Sequence, residues 1–186
     1  MKKINIFSKK LVHQSIFSVF ETKFSFIKNN GKKSKTHTHW VVEKGPAVAI
    51  LVYDITHEEI VLVKQLRTAT QTVITEVVAG VMDPGESPEM SARREILEEV
   101  GYNVKQLNLI YSFYTTPGIF NETIHFFYTE VTDEMKVNEG GGLAEEEEDL
   151  EIIRIPKAEI IDWLAKEKEL DAKTIIGIQY FINHKI

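Results

Sequence analysis

The 186 residues include no cysteine, which excludes disulfides and any thiolate metal centre. A metal bound here would have to use oxygen or imidazole donors. No apolar stretch approaches the ~18 residues of a membrane span. The N-terminal MKKINIFSKKLVHQ carries lysines, but Ser8, Lys9 and Lys10 interrupt its apolar residues, so it is not expected to be a secretory signal. An excess of positive charge is missing too: 22 basic against 28 acidic residues leave −6 at pH 7. That balance argues against nucleic acid or an anionic membrane as a general partner, while leaving room for a local basic patch that holds a phosphate. What is present is ordinary for a soluble globular protein, 43% hydrophobic and 27% charged. The length suits one core-forming domain with a small appended element. A cytoplasmic protein is the expectation.

Residues 1–42 read as a separate set of antiparallel strands. Phe20, Thr22, Phe24 and Phe26 alternate with Glu21, Lys23 and Ser25, a period-two pattern with one aromatic face. Asn29-Asn30-Gly31 marks a turn, and Thr36 to Val42 forms the returning strand. Two or three such strands cannot stand alone; they need the main domain or another subunit. Phe24 and Phe26 serve either as core or as a platform for a nucleobase. His37 and His39 share one side of a strand, where they either ligate a metal or lie exposed on an edge; no third ligand is evident nearby.

In residues 43–186, Ala47–Tyr53 and Glu59–Leu66 are almost continuously apolar, the mark of strands buried on both faces. Arg67 ends the second, either as a surface ion pair or as a planar fork that clasps a diphosphate. Val73–Ala79 is a further strand running into Gly80. The Ala79 carbonyl would then lie at the mouth of a loop, where it could complete an oxygen-only metal site. Val104–Tyr114 and Thr123–Val131 are strands around the turn Thr115-Thr116-Pro117-Gly118. Asn138 to Gly142 reads as a flexible loop. The acidic run Glu145–Asp149 is either a solvated loop or a mobile source of a metal ligand or general base. Leu150–Ile155 is a last strand, followed by helices over Lys157–Lys166 and, capped by Asp171, Ala172–His184.

Amid these strands lies Gly80–Tyr102, GVMDPGESPEMSARREILEEVGY. Ser87 as N-cap and Pro88 in the first turn predict a helix. Glu95 and Glu99 are then four apart and Glu95 and Glu98 three apart, which places carboxylates on one face. Like charges so spaced repel by ~0.2–0.5 kcal/mol per pair, and the helix dipole disfavours anions at the C-terminal end. Arg94 reaches Glu98 at i+4, leaving Glu95 and Glu99 short of a partner. Either the face is solvated and mismatched, or a divalent cation with oxygen ligands supplies the charge.

Gly80, Glu86, Arg94, Glu95, Ile96, Glu98, Glu99 and Gly101 together resemble the Nudix box, with Tyr102 where an aliphatic residue is usual. The likeness extends outward. Glu76-Val77-Val78-Ala79-Gly80 is similar to the segment preceding the box in ADP-ribose pyrophosphatases and nucleoside-diphosphate-sugar hydrolases, many of which have Pro where Val78 stands. Pro117, 16 residues beyond Gly101, and Glu122 after it look like the ADP-ribose pyrophosphatase subgroup. Gly140 to Glu146 resembles a loop of the same enzymes and of GDP-mannose hydrolases. The resemblance implies an α+β fold, an α/β/α sandwich with a mixed central sheet, carrying the small N-terminal sheet as a dimerisation element of a homodimer. It implies Mg²⁺-dependent (or Mn²⁺-dependent) hydrolysis of ADP-ribose, UDP-glucose, GDP-mannose or a related nucleoside-diphosphate sugar to a nucleoside monophosphate and a sugar phosphate. Carried over residue by residue, Ala79 (carbonyl), Glu95, Glu99 and Glu148 hold metal. Glu98 lies at the same cluster with Arg94 orienting the glutamates, and Glu146, Glu122 or Glu148 activates water, with Glu146 the first candidate. Arg67, Glu76, Pro117, Phe24 and Phe26 face substrate. Two other readings stay open: a housecleaning hydrolase of nucleoside triphosphates or dinucleoside polyphosphates, and a nucleotide-sugar sensor without turnover.

Overall fold

A computed structural model describes residues 4–143, 145 and 148–186. Two compact units divide the chain, Met1–Pro46 with Phe113–Thr123, and Ala47–Ser112 with Ile124–Ile186. The first unit thus takes in a later segment as well as the N-terminal strands. The reason is a backbone pairing: the Val42 N–H donates to the Ile119 carbonyl (2.8 Å) and the Asn121 N–H to the Val42 carbonyl (3.2 Å).

The first unit is a three-stranded antiparallel sheet of β1 (Ile4–Gln14), β2 (Ser18–Phe26) and β3 (His37–Glu43) in that order. The expected turn is present, with Gly31 in the left-handed region at φ 76°. β1 is an addition to the sequence reading; its residues are exposed throughout, so the alternation that marks a half-buried strand has no bearing on it.

The second unit is built on β4 (Ala47–Asp54), every residue of which is buried. Its sheet runs β10-β5-β4-β9-β8, from β5 (Glu59–Arg67), β8 (Asn108–Tyr114), β9 (Thr123–Val131) and β10 (Glu151–Pro156). β4 is antiparallel to β5 and parallel to β9, the mixed sheet expected. One face of β4 packs through Val48, Ile50 and Val52 with Ala92, Ile96 and Val100 of helix α1 (Pro88–Val100). On the other, Tyr53 meets Phe181 of α3 (Ala172–Lys185) with ring centroids 4.8 Å apart. Helices on both faces explain why β4 and β5 read as unbroken apolar runs.

The strand expected over Val73–Ala79 is two strands, β6 (Thr72–Glu76) and β7 (Val78–Val81). β6 pairs with β5 and β7 with β4, so the chain steps from one neighbour to the other at Val77. The Val77 N–H, lost to the ladder, donates instead to the Thr174 hydroxyl at 2.8 Å. β8 also starts later than expected: the Val104 and Lys105 carbonyls accept from the Arg93 guanidinium (3.3 and 2.8 Å) in place of a strand neighbour. The penultimate helix is a 3-10 turn over Lys157–Glu159 followed by α2 (Ile160–Lys166). Among the described residues no helix is long and apolar enough to cross a membrane.

Candidate active site

Helix α1 begins as its sequence dictates: Ser87 caps it, accepting from the Met90 N–H at 3.3 Å, with Pro88 at the first helical position. Its apolar stripe is drawn into the core, and Glu95 and Glu99, one turn apart, are drawn in with it to 8% and 7% exposure. Gly80 makes room for them, because a Cβ at that position would overlap the Glu95 carboxylate.

Arg94 is the hub on the outer side. Its guanidinium lies 3.0 Å from Glu98, 3.3 Å from Glu86 and 3.1 Å from the Val81 carbonyl, and also 2.8 Å from Glu95. The last contact corrects the expectation that Glu95 lacks a partner: the Arg94 fork folds back over its own neighbour, which helical spacing alone does not suggest. Burial still pushes the Glu95 carboxyl up to about 7 against the pull of Arg94. Among the described residues Glu99 makes no such ion pair, although its charge acts on the Arg67 guanidinium. Burial raises its carboxyl well above the usual range, the charges of Glu95 and Glu148 raise it further, and a backbone hydrogen bond from Ala79 opposes them. Among the described residues Glu99 Oε2 has no hydrogen-bond partner.

An unpaired buried carboxylate oxygen costs several kcal/mol unless a cation neutralises it. Glu95, Glu99 and Glu148 lie near enough for their charges to act on one another, and carboxylate oxygens are the donors that suit a hard divalent ion of the Mg²⁺ or Mn²⁺ type. Glu148 comes from the late loop, where its carboxylate accepts from the Leu143 N–H at 3.2 Å. Glu146 falls outside the described residues.

The glycine run before it is ordered against α1, which corrects the flexible-loop expectation. Gly140, Gly141 and Gly142 all take positive φ, at 73°, 100° and 88°. The Gly141 and Gly142 amides donate to the carbonyls of Glu99 (2.8 Å) and Glu98 (3.1 Å). Lys136 Nζ donates to the Val100 carbonyl at 2.9 Å. The last-turn carbonyls are thereby satisfied, and a cation sits where the dipole is negative.

Arg67 is a half-exposed partner in an ion pair. It makes a bidentate pair with Glu76 (2.6 and 2.8 Å), and Glu76 is buried and also contacted by Lys173 at 3.4 Å. Lys173, itself paired with Asp171, was missed by sequence reasoning; only its place in the first turn of α3 beside the capping Asp171 could have drawn notice. In the other compact unit, Glu122 accepts from the Thr115 hydroxyl at 3.0 Å. Pro117 lines a hollow of ~250 Å³ with Val41, Tyr114 and Asn121. Phe24 and Phe26 are half-buried, and the His37 ring lies against both at 5.6 and 5.5 Å while His39 meets Phe24 edge-on at 4.9 Å. These histidines pack on aromatic rings, and among the described residues they belong to no group of three potential metal ligands.

A second acidic group was also missed. Asp54, His57 and Asp133 bring potential ligand atoms within 4.8 Å of one another. Asp54 is already neutralised, however, by Arg154 at 2.8 Å and His57 at 3.0 Å, with Tyr102 donating at 3.3 Å. Tyr102, the departure from the aliphatic pattern, thus fills the apolar position and lends its hydroxyl to this network.

A strand-flanked helix of glutamates inside an α/β/α sandwich matches what comparison with known proteins finds. The NUDIX domain family matches residues 43–176, and the chain belongs to the Nudix family. It is 31% identical over 183 residues to the GDP-mannose pyrophosphatase of Salmonella arizonae, covering 95% of this chain and 94% of that one. It is 29% identical over 185 residues to the protein of the same name from Shigella flexneri, covering 96% and 95%. The crystal structure of an ADP compounds hydrolase superposes with a TM-score of 0.73 at 21% identity, over 97% of this chain and 95% of that one, a likeness of fold.

Proposed function

We propose that the protein hydrolyses the diphosphate of a nucleoside-diphosphate sugar, GDP-mannose foremost, to a nucleoside monophosphate and a sugar phosphate, as a Mg²⁺-dependent cytoplasmic homodimer. The observation that carries the reading is the buried pair Glu95 and Glu99, with Glu148 near them and Glu99 Oε2 unpaired among the described residues, in a chain that aligns with GDP-mannose pyrophosphatases along nearly its whole length. Glu95, Glu99, Glu148 and the Ala79 carbonyl would hold the metal. When bound, the metal supplies neutralisation of the diphosphate oxygens and of the leaving phosphate.

The chain's own residues do the rest. Arg94 fixes Glu98 and Glu95 so that they do not swing out to water. Glu76 holds the Arg67 guanidinium in one orientation, from which its remaining donors meet the diphosphate. Glu146 takes the proton of the attacking water, with Glu122 as the second candidate. Phe24 and Phe26 would stack on the base, and Pro117 would contact substrate.

Incubation with Mg²⁺ and a panel of GDP-mannose, ADP-ribose, UDP-glucose, dinucleoside polyphosphates and nucleoside triphosphates, with monophosphate release followed, tests the reading. Release from GDP-mannose above the others is the expected result. Triphosphate hydrolysis with none on the sugars overturns it, and binding without product marks a sensor. Among single variants, Glu146→Gln should lose more of the rate than Glu122→Gln.

A further inference from the structure

Residues 136–142 close the C-terminal end of α1 more completely than a helix end requires. Gly101, at φ 72°, already ends the helix, its N–H donating to the Leu97 carbonyl at 3.2 Å. The three carbonyls beyond, those of Glu98, Glu99 and Val100, are then taken one by one by the Gly142 amide, the Gly141 amide and the Lys136 ammonium. Two of those carbonyls belong to the box glutamates themselves.

The far side of the same segment leads to Glu148. The Gly141 carbonyl accepts from the Leu150 N–H at 3.2 Å, and the Glu148 N–H donates to the Leu143 carbonyl at 3.2 Å. Gly141 therefore bonds through its N–H to the helix carrying Glu99 and through its carbonyl to the base of the loop carrying Glu148. Its φ of 100° is one that a side chain disfavours. Yet a Cβ there would come no closer than 3.8 Å to any neighbour, whereas one at Gly140 would run into the Glu99 backbone. A side chain at Gly141 thus perturbs the backbone geometry and nothing else.

We propose that Lys136 and Gly141 are positioning residues of the metal site, a bracket that sets the register between the glutamates of α1 and Glu148. The inference rests on the function proposed above and adds the device that holds the two halves of the site together. Outer contacts of this kind commonly change metal affinity by about 10- to 100-fold when lost.

The test measures Mn²⁺ binding directly by calorimetry, alongside kcat and KM for GDP-mannose. Gly141→Ala should bind Mn²⁺ about ten-fold or more weakly, with kcat reduced at a fixed metal concentration and KM for the sugar nucleotide little changed. Gly31→Ala, another left-handed glycine with open space around it, supplies the control for strain alone: Tm falls, and Mn²⁺ affinity stays within about two-fold of wild type. Lys136→Met should shift affinity in the same direction, and Lys136→Arg should restore it. Should Gly141→Ala not fold, the Lys136 pair decides the matter. Wild-type protein that binds no Mn²⁺ and releases no product overturns the functional reading and this inference with it. Wild type that does both, with Gly141→Ala or Lys136→Met binding Mn²⁺ as tightly, overturns the bracket alone.

Discussion

Asp54 and Glu99 are carboxylates buried in the same compact unit, at 0% and 7% exposure, and their surroundings treat them in opposite ways. Burial alone would raise Asp54, but hydrogen bonds from His57, from Arg154 and from the Thr56 amide outweigh it and hold the carboxyl below its ordinary value. Glu99 receives one backbone hydrogen bond and faces Glu95, Glu148 and Glu76, so it is driven upward. A folded chain that satisfies one buried acid so fully and leaves the other open is not short of cations in general. Among the described residues it leaves Glu99 without an ion pair of its own, at the position where the proposed metal would sit.

Replacing each carboxylate by its amide separates the two. Glu99→Gln removes an uncompensated charge, so Tm should hold or rise. If Glu99 is a metal ligand, kcat on GDP-mannose should drop by about 10²-fold or more. Kinetics and calorimetry on one preparation read both, and a variant of near-normal activity would remove Glu99 from the metal site. Asp54→Asn should do the reverse. It strands Arg154 and the Tyr102 hydroxyl, so stability should fall by about 2–4 kcal/mol, measured by urea unfolding, while kcat per folded molecule changes little. Equal loss of stability in both variants would erase the contrast.

The difference between the two acids was only half legible in the sequence. Helix α1 announces itself locally through Ser87, Pro88 and the spacing of Ala92, Ile96 and Val100, and its glutamates follow from that spacing. The partner of Asp54, by contrast, lies 100 residues away at Arg154, and nothing near either residue points to the other. The Lys136–Gly142 bracket is hidden for a different reason: three glycines in a row have the composition of a linker, and only contact with the Glu98 and Glu99 carbonyls distinguishes a docked turn from a loose one. The step from β6 to β7 at Val77 fails for the same cause, since which strand each half pairs with is a tertiary fact. Arg67 shows an intermediate case, its strand-end position legible and its engagement with Glu76 not.

His57 gives the smallest effect and the finest test of how Asp54 is held. The Asp54 hydrogen bond, with the nearby Asp133 charge, raises the imidazole pKa above its ordinary 6.5. A group raised on folding contributes stability that is fully present below its unfolded pKa and is lost as pH climbs through the folded value. Asp54, depressed on folding, contributes above its unfolded value near 3.8 and loses that contribution only as pH falls through its lower folded value. The pair is therefore strongest between the acid limb of Asp54 and about pH 6.5, and it wanes as pH climbs through the raised His57 value. The Tm difference between wild type and His57→Gln should accordingly be larger at pH 5 than at pH 8. Because His57 is exposed, added salt should shrink it. A difference that is the same at both pH values would mean that Arg154 and the backbone amides hold Asp54 without help from the imidazolium charge.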